Sequence, residues 1–427
     1  MGDAATSLAD DFSAAFYNPS GLAMAAKPSL SVGFLGYGAW LEQGDGTASI
    51  SHPVEAHLGI SFPLPFRGVM KDRLWLGLAF ATHPDIVARF KSRLPTEPFY
   101  PYYDNRTQRL TLLPAAAFRV FDDPRRGRLS LGVGLNVLAG LSGTVVAREG
   151  PSRSVEARVS EKLGTIARVT AGVTYEKGGF RVGLSYRQEM GADVVTRSYN
   201  NVAGADLNLD IAAEALYDPH TVVLGGSWRP DGGQWSFGFD VGYALWRLYG
   251  GPYVQVDSLL PLVGELRGDV PDIQFNDAVS VRAGVERWFE LPETMRMALR
   301  GGVGFESSPV PVQHGRTNML GGHKLAFSLG LGFDLGRVLG RRVWADAHAR
   351  LQWVIPRTMQ KKLYIPDEEC PAPPPGSVDP DDYLIDERPC DRTDPSTLGI
   401  QISNPGYPSI DSGGVVVSGG LTLGVEL

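Results

Sequence analysis

Residues 324–335 read KLAFSLGLGFDL. Leu325, Phe327, Leu329, Leu331, Phe333 and Leu335 fall on one face, and Lys324, Ala326, Ser328, Gly330, Gly332 and Asp334 on the other. A period of two marks a β-strand, and this run far exceeds the ordinary strand of about 5–6 residues. The pattern recurs at 129–137, 295–303, 343–353 and 415–427. A soluble sandwich also alternates, but with short strands and a buried apolar face. A membrane barrel turns its apolar face to lipid and needs about 9–11 residues per tilted strand. Gly, Ser, Arg and Asp on the other face suit a crowded polar lumen. The expectation is therefore an all-β protein, a transmembrane barrel.

Strands are expected near 29–43, 53–64, 73–83, 107–121, 129–147, 154–176, 180–197, 219–230, 235–248, 276–290, 295–307, 322–335, 342–355 and 414–427. That is about fourteen, an even number as in bacterial single-chain barrels. Connections alternate between short turns, such as 176–179 and 231–234, and mostly longer loops, such as 84–106, 198–220, 249–275 and 357–413. Short periplasmic turns and long extracellular loops place both termini in the periplasm.

Composition removes other classes. Forty basic against forty-seven acidic residues give a net charge of -7, which argues against a nucleic-acid binder. No apolar run reaches the roughly 18 residues of a membrane helix. The seven histidines show no HExxH spacing, and no GxSxG, GxGxxG or P-loop is present. His348 lies near Asp346, but a lumen ion pair explains the two better than catalysis, so no enzyme, cofactor or metal centre is expected. No signal peptide is visible, which leaves either a cytoplasmic protein or a sequence that begins after processing.

The first segment departs from the period of two. In TSLADDFSAAFY (6–17), Leu8, Phe12 and Phe16 have the i, i+4, i+8 spacing of a helical stripe. Ser7 or Thr6 can cap it, Asp10 and Asp11 sit near its positive end, and Pro19 ends it after Asn18. It reads either as a surface helix or as a plug inside the barrel.

GDAATSLADDFSAAFYNPSGLA (2–23) resembles the N-terminal hatch of the FadL-like family, outer-membrane transporters of long-chain fatty acids and aromatic hydrocarbons. The matching residues are Gly2, Ala9, Asp10, Asp11, Tyr17, Asn18, Pro19, Gly21 and Leu22, with Ser20 in place of the usual Ala. LGLAFATHP (76–84), DPHTVVLGGSWRP with Asp240 and Trp246, and FNDAVSVRAGVERW followed by LRGGVGFESSPVP extend the resemblance in the expected order. Three features differ: Met1 starts without the usual upstream residues, as a truncated or re-engineered start would, Leu427 replaces a terminal aromatic, and the last loop is unusually long.

The resemblance implies a hatch at 1–28 inside a barrel at 29–427, with a long acidic loop at 356–413. It also implies a monomer among outer-membrane lipid and lipopolysaccharide in a Gram-negative cell. Such a barrel captures a hydrophobic small molecule by its outer loops, passes it to a lumen pocket, and releases it past the hatch by lateral diffusion. The hatch residues Asp10, Asp11, Phe16, Tyr17, Asn18, Pro19 and Ser20 would form the gate, or else a static cap. The lateral opening would lie at a kink in the third strand, where Gly77 leaves space and Pro84 cannot donate to the ladder. A receptor, adhesin or scaffold on the same barrel is the competing function, and the long acidic loop favours it.

Other residues carry expectations of their own. Phe99, Tyr100, Tyr102 and Tyr103 in FYPYYD read as an exposed patch for ligand capture or as part of an interfacial girdle. Arg282, Arg296 and Arg300 face inward, either to hold an acidic ligand head or to pair with carboxylates such as Glu286. Cys370 and Cys390 are the only cysteines and are expected to pair in an oxidising compartment. Between 367 and 394 ten acids face two arginines, a net -8, which suits either Ca²⁺ among lipopolysaccharide phosphates or a solvated loop without an ion.

Overall fold

The computed structural model describes residues 1–427 apart from 26, 45, 49, 51, 84–97, 104–109, 150–154, 203–204, 231–232, 252–253, 261–263, 268–272, 293–294, 314–316 and 361–408. For strand residues within 139–163, 192–216 and 254–267 only the backbone is described. Pro84, Cys370, Cys390 and the acidic stretch 367–394 lie outside the described residues.

Fourteen strands form the wall: β1 Ser29–Gln43, β2 Val54–Pro63, β3 Leu74–Thr82, β4 Thr111–Asp123, β5 Gly127–Glu149, β6 Val155–Lys177 and β7 Phe180–Arg187 make one half. The other half is β8 Thr221–Trp228, β9 Trp235–Ala244, β10 Ala278–Glu290, β11 Arg296–Glu306, β12 Lys324–Val338, β13 Arg341–Gln360 and β14 Ser409–Glu426. Each pairs antiparallel with the next. Fifteen antiparallel pairings from Ser29↔Glu426 to Gln43↔Ser412 join β1 to β14 and close the barrel. Closure removes the open edge that hydrocarbon would not tolerate.

Exposure inverts the order of a soluble protein. Leu329 is 69% exposed, Leu421 65% and Phe34 55%, whereas Asp240, Lys324 and Glu286 are 1%, 4% and 8% exposed. The apolar face of the period of two therefore points out to lipid and the small, polar face points in. Among the described residues no helix is long and apolar enough to cross a membrane.

Two elements differ from expectation. The stretch 180–197 is not one strand: β7 ends at Arg187, and Met190–Val202 pairs with Ala205–Asp218 as a hairpin beyond the wall. The break falls where the Glu189 N–H turns to His220 Nδ1 (3.2 Å) instead of to a neighbouring strand. The third strand is regularly paired over its described residues, and the expected kink at Pro84 lies outside them. β3 pairs without a gap from Leu74 to Ala81 with β4 and from Trp75 to Thr82 with β2. Rungs are missing one strand later, where the β4–β5 ladder has Leu112↔Val137 and Ala115↔Gly134 but nothing between. Pro114 lies in that gap and has no N–H to give.

The N-terminal segment does not form the single amphipathic helix expected over 6–17. Only Ala14–Tyr17 is α-helical, and Pro19–Met24 follows as a 3₁₀ turn. Leu8, Phe12 and Phe16 share no stripe. Leu8 packs at Gly238 on β9, Phe12 stacks on His57 of β2, and Phe16 lies under Arg187 at the end of β7. Contacts all around the wall replaced intrahelical bonds.

Candidate functional site

Residues 1–25 lie within the barrel, held by inward-facing side chains of many strands. From β9, the buried Asp240 Oδ2 accepts the backbone N–H groups of Ala5 and Thr6, both at 3.0 Å. From β6, Val173 O and Thr174 Oγ1 accept from Asn18 Nδ2 at 3.3 and 3.0 Å. The same amide also donates to Thr6 O (2.9 Å), and Asn18 Oδ1 accepts from Ser20 N and Oγ. Asn18 thus ties two turns of the segment to each other and to the wall. Ser130 Oγ on β5 donates to Ser20 O (2.8 Å), and Arg119 on β4 donates to Ala23 O. Arg181 on β7 pairs with Asp10 at 3.5 Å, and Arg350 on β13 pairs with Asp3. Asp11 Oδ1 accepts from the Ser13 N–H at 2.8 Å in the turn that leads into the short helix. Burial would raise the Asp3 carboxyl, but Arg350, Arg282 and the Tyr17 hydroxyl outweigh it and hold it below its ordinary 3.8. The Tyr17 phenol is pushed well up by the Asp3 charge and by burial.

A belt of glycines makes room for this segment. Gly59 on β2, Gly77 on β3, Gly132 on β5, Gly172 on β6, Gly183 on β7, Gly225 on β8, Gly238 on β9, Gly284 on β10 and Gly302 on β11 each face it. A Cβ at any of the nine would meet an atom of residues 1–22 closer than real Cβ contacts allow. Several are cross-strand partners, including Gly132↔Gly172, Gly183↔Gly225 and the row Gly238↔Gly284↔Gly302. Gly77 is therefore a socket for Leu22, whose Cδ2 would lie 2.6 Å from an added Cβ, and not a gap in the wall.

Toward the long-loop end the described residues form an aromatic cluster. Phe99, Tyr100 and Tyr103 are buried in a cluster with Trp246, Tyr249, Phe275 and Met319. Tyr217 stacks on Tyr249 with ring centroids 4.6 Å apart, and Tyr102 lies 4.8 Å from Trp246. Tyr100 Oη donates to Glu42 O and accepts from the Gly413 N–H at 3.0 Å, which latches the turn to β1 and β14. Burial pushes the Tyr100 phenol up to about 12. Lys324 Nζ sits 3.0 Å above the Tyr102 ring and pairs with Glu306 at 3.0 Å. These aromatics form an internal cap. The expected exposed patch is overturned, because tyrosine rings gain more by burying apolar area together than by facing water.

Between cap and N-terminal segment lie two adjoining chambers of about 180 and 460 Å3. Both are lined by Phe16, Tyr102 and Glu306. Arg282 lines the smaller one and has no hydrogen-bond or ion-pair partner among the described residues. The other two expected arginines are engaged. Arg300 bridges Glu286 (2.7 Å) and Asp346, and Arg296 pairs with Glu290 at 3.0 Å while lying over Trp288. Asp346 is thus in an ion pair beside His348, and no cluster of three or more metal-ligating side chains occurs among the described residues.

Arg119, Arg350 and all of the glycine belt but Gly77 escaped the sequence reading, and Asp240 entered it only as part of the family pattern, without its role. Each lies on the polar face of its strand, so the period of two put them in the lumen. Nothing local showed which level of the lumen the first segment occupies.

No family model matches the sequence, and no curated protein does. Solved structures do. A FadL homologue from Pseudomonas aeruginosa shares 13% identity with a TM-score of 0.52 over 98% of this chain and 94% of its own. This is the FadL-type barrel fold. The toluene transporter TodX of P. putida aligns at 12% identity and TM-score 0.51, over 97% of this chain and 94% of its own. The Ralstonia pickettii toluene transporter TbuX gives 12% and 0.50, over 97% and 93%. At such identities the likeness concerns the FadL-type fold, which the chain follows almost from end to end.

Proposed function

We propose that this barrel carries hydrophobic small molecules across the outer membrane of a Gram-negative cell, without catalysis, with the N-terminal segment as its gate. The observation that carries the reading is the pair of adjoining chambers held between an aromatic cap and a segment fastened by non-covalent polar contacts and side-chain packing. A pure scaffold has no need of such space, and the larger chamber sets Phe16, Leu35, Tyr103 and Val416 around a few charged groups, as binding chambers do. The FadL-type fold supports the reading, since solved barrels of this fold bear the names of toluene transporters. In this reading the short turns and both termini face the periplasm, and the ligand leaves by diffusion into the membrane. Cys370 and Cys390 are read as a disulfide of the exported protein, which labelling of free thiols in unreduced, denatured protein tests.

The deciding experiment is uptake of radiolabelled toluene and oleate by cells producing the barrel in a strain stripped of related transporters. Saturable uptake of at least one above the empty-vector strain is expected. Uptake equal to the empty vector for both, with correctly assembled protein in the membrane, rules out passage of these two classes.

A further inference from the structure

Arg287 shares the lipid-facing side of β10 with Val279 and Val281. It is exposed and, among the described residues, has no carboxylate or hydrogen-bond partner. Its guanidinium is held between two rings instead, 4.9 Å from the centre of Trp235 and 4.8 Å from that of Phe289. Trp235 is its cross-strand partner on β9. From there the rings continue in series, Trp235 on Phe237 at 6.1 Å, Phe237 on Trp228 at 5.8 Å and Trp228 on Phe180 at 5.7 Å. Tryptophan on a lipid face marks the level of the headgroups. A guanidinium stacked there by its faces keeps its N–H edge free, and that edge fits the oxygens of a phosphate.

A path for acyl chains starts at the same residue. One row of cross-strand partners runs Arg287↔Leu299↔Leu331↔Ala347↔Leu421↔Phe34, from β10 round to β1. Arg287 lies three residues from the short-turn end of its strand and Ala347 six from that of β13. The row therefore climbs from the headgroup level toward the middle of the bilayer. Along it the outer wall is hollowed into a groove of about 590 Å3, lined by Leu299, Leu331, Ala347, Ala349, Gly419 and Phe34. Leu329 and Leu421 project beside it, whereas the alanines offer only a methyl group. The groove begins at Leu299, one strand from Arg287, and Ala347 stands roughly 14 Å from Arg287 at the usual strand spacing. A second hollow of about 450 Å3 shares Phe34, Ala347 and Leu421 and extends past Ala345 and Leu423 toward the short turns.

We propose that this outer face binds a phospholipid of net negative charge, with its phosphate on Arg287 and its acyl chains in the hollows over Ala347. A lipid fits better than a second copy of this chain, because cation and groove follow one line from headgroup depth to tail depth. An anionic headgroup fits better than a zwitterionic one, because Arg287 has no carboxylate beside it and a zwitterion brings a cation of its own. With the short turns toward the periplasm, as read above, the lipid belongs to the inner leaflet. The site lies on the other side of the wall from the two chambers and requires nothing to be transported.

The test uses full-length protein in nanodiscs of equal parts phosphatidylcholine and phosphatidylglycerol with matched chains, released into native mass spectrometry. The wild type should retain phosphatidylglycerol in preference to phosphatidylcholine. Arg287→Gln should lower the retained phosphatidylglycerol roughly 3- to 10-fold. Arg126→Gln removes the same charge from an exposed turn at the same end and should leave retention unchanged. Ala347→Leu fills the hollow and should lower retention by a similar factor, with heat-modifiable migration of the barrel unchanged in every variant. Equal retention of the two lipids by the wild type, full retention by Arg287→Gln, or an equal loss in Arg126→Gln overturns the proposal. Full retention by Ala347→Leu overturns the seating of the chains. A lipid-free dimer would give the groove to a second copy and overturn it as well. Uptake is not the readout, so failure of the transport reading leaves this result untouched.

Discussion

Asn18 and Gly172 show how much rests on single atoms. The two N–H bonds of the Asn18 amide are shared among Thr6 O, Thr174 Oγ1 and, at the longest distance, Val173 O, and the amide can approach β6 only because Gly172 has no side chain. In Gly172→Ala a Cβ would overlap Asn18 Oδ1. Overpacking of this kind costs about 1–3 kcal/mol, which should raise the released population of the segment roughly 5- to 150-fold. Higher ion conductance in planar bilayers, with unchanged heat-modifiable migration of the barrel, is the expected result. Conductance equal to wild type would show that the glycine belt does not seat a movable part. Asp240→Ala should act in the same direction, because it strands the N–H groups of Ala5 and Thr6 and unmet buried donors cost about 1–3 kcal/mol each. Asp3 gives a pH dependence. A carboxyl whose folded value is depressed contributes stability above its unfolded value of 3.8 and loses it as pH falls through the lower folded value. Hydrogen exchange at residues 1–25 should therefore stay slow from neutral pH to about 4 and quicken only in stronger acid. Asp3→Asn should remove that acid-dependent step.

Among the elements, the strands followed their sequence closely and the N-terminal segment did not. A barrel strand is specified by its own alternation, since lipid lies on one side and lumen on the other wherever the strand sits. The first segment has neither solvent face nor lipid face. It is surrounded by wall, so its helical spacing was outweighed by contacts from Asp240, Thr174 and Arg350 that local sequence does not contain. The FYPYY turn went astray for a related reason. Its aromatics look exposed in a sequence because no strand pattern includes them, but Trp246, Tyr249 and Phe275 arrive from another loop and bury them. Changing Phe99, Tyr100, Tyr102 and Tyr103 together to Ser should thus open the cap. Small-ion conductance should rise and the loops at that end become protease-sensitive, whereas loss of ligand capture with an intact cap would restore the surface-patch reading.

At the scale of the whole molecule, fourteen strands, their short and long connections and the lipid-facing side of each were legible in the sequence. Alternation is a one-dimensional record of a two-sided environment, and it needs no knowledge of neighbours. The inward side of Arg282, Arg296 and Arg300 was legible for the same reason. What each of them meets was not. Arg300 found Glu286 and Asp346 from two other strands, while Arg282 was left facing a chamber. The register between strands, fixed by closure of β1 on β14, set those pairings and aligned nine glycines into one belt. Register likewise put Pro114 opposite Leu135 and so placed the missing rungs in the β4–β5 ladder. The sequence by itself therefore determined the barrel and its two faces, because each strand reads its surroundings residue by residue. The seat of the N-terminal segment and the aromatic cap were decided by tertiary structure alone, because each is made of residues far apart in the chain that meet only once the sheet has closed.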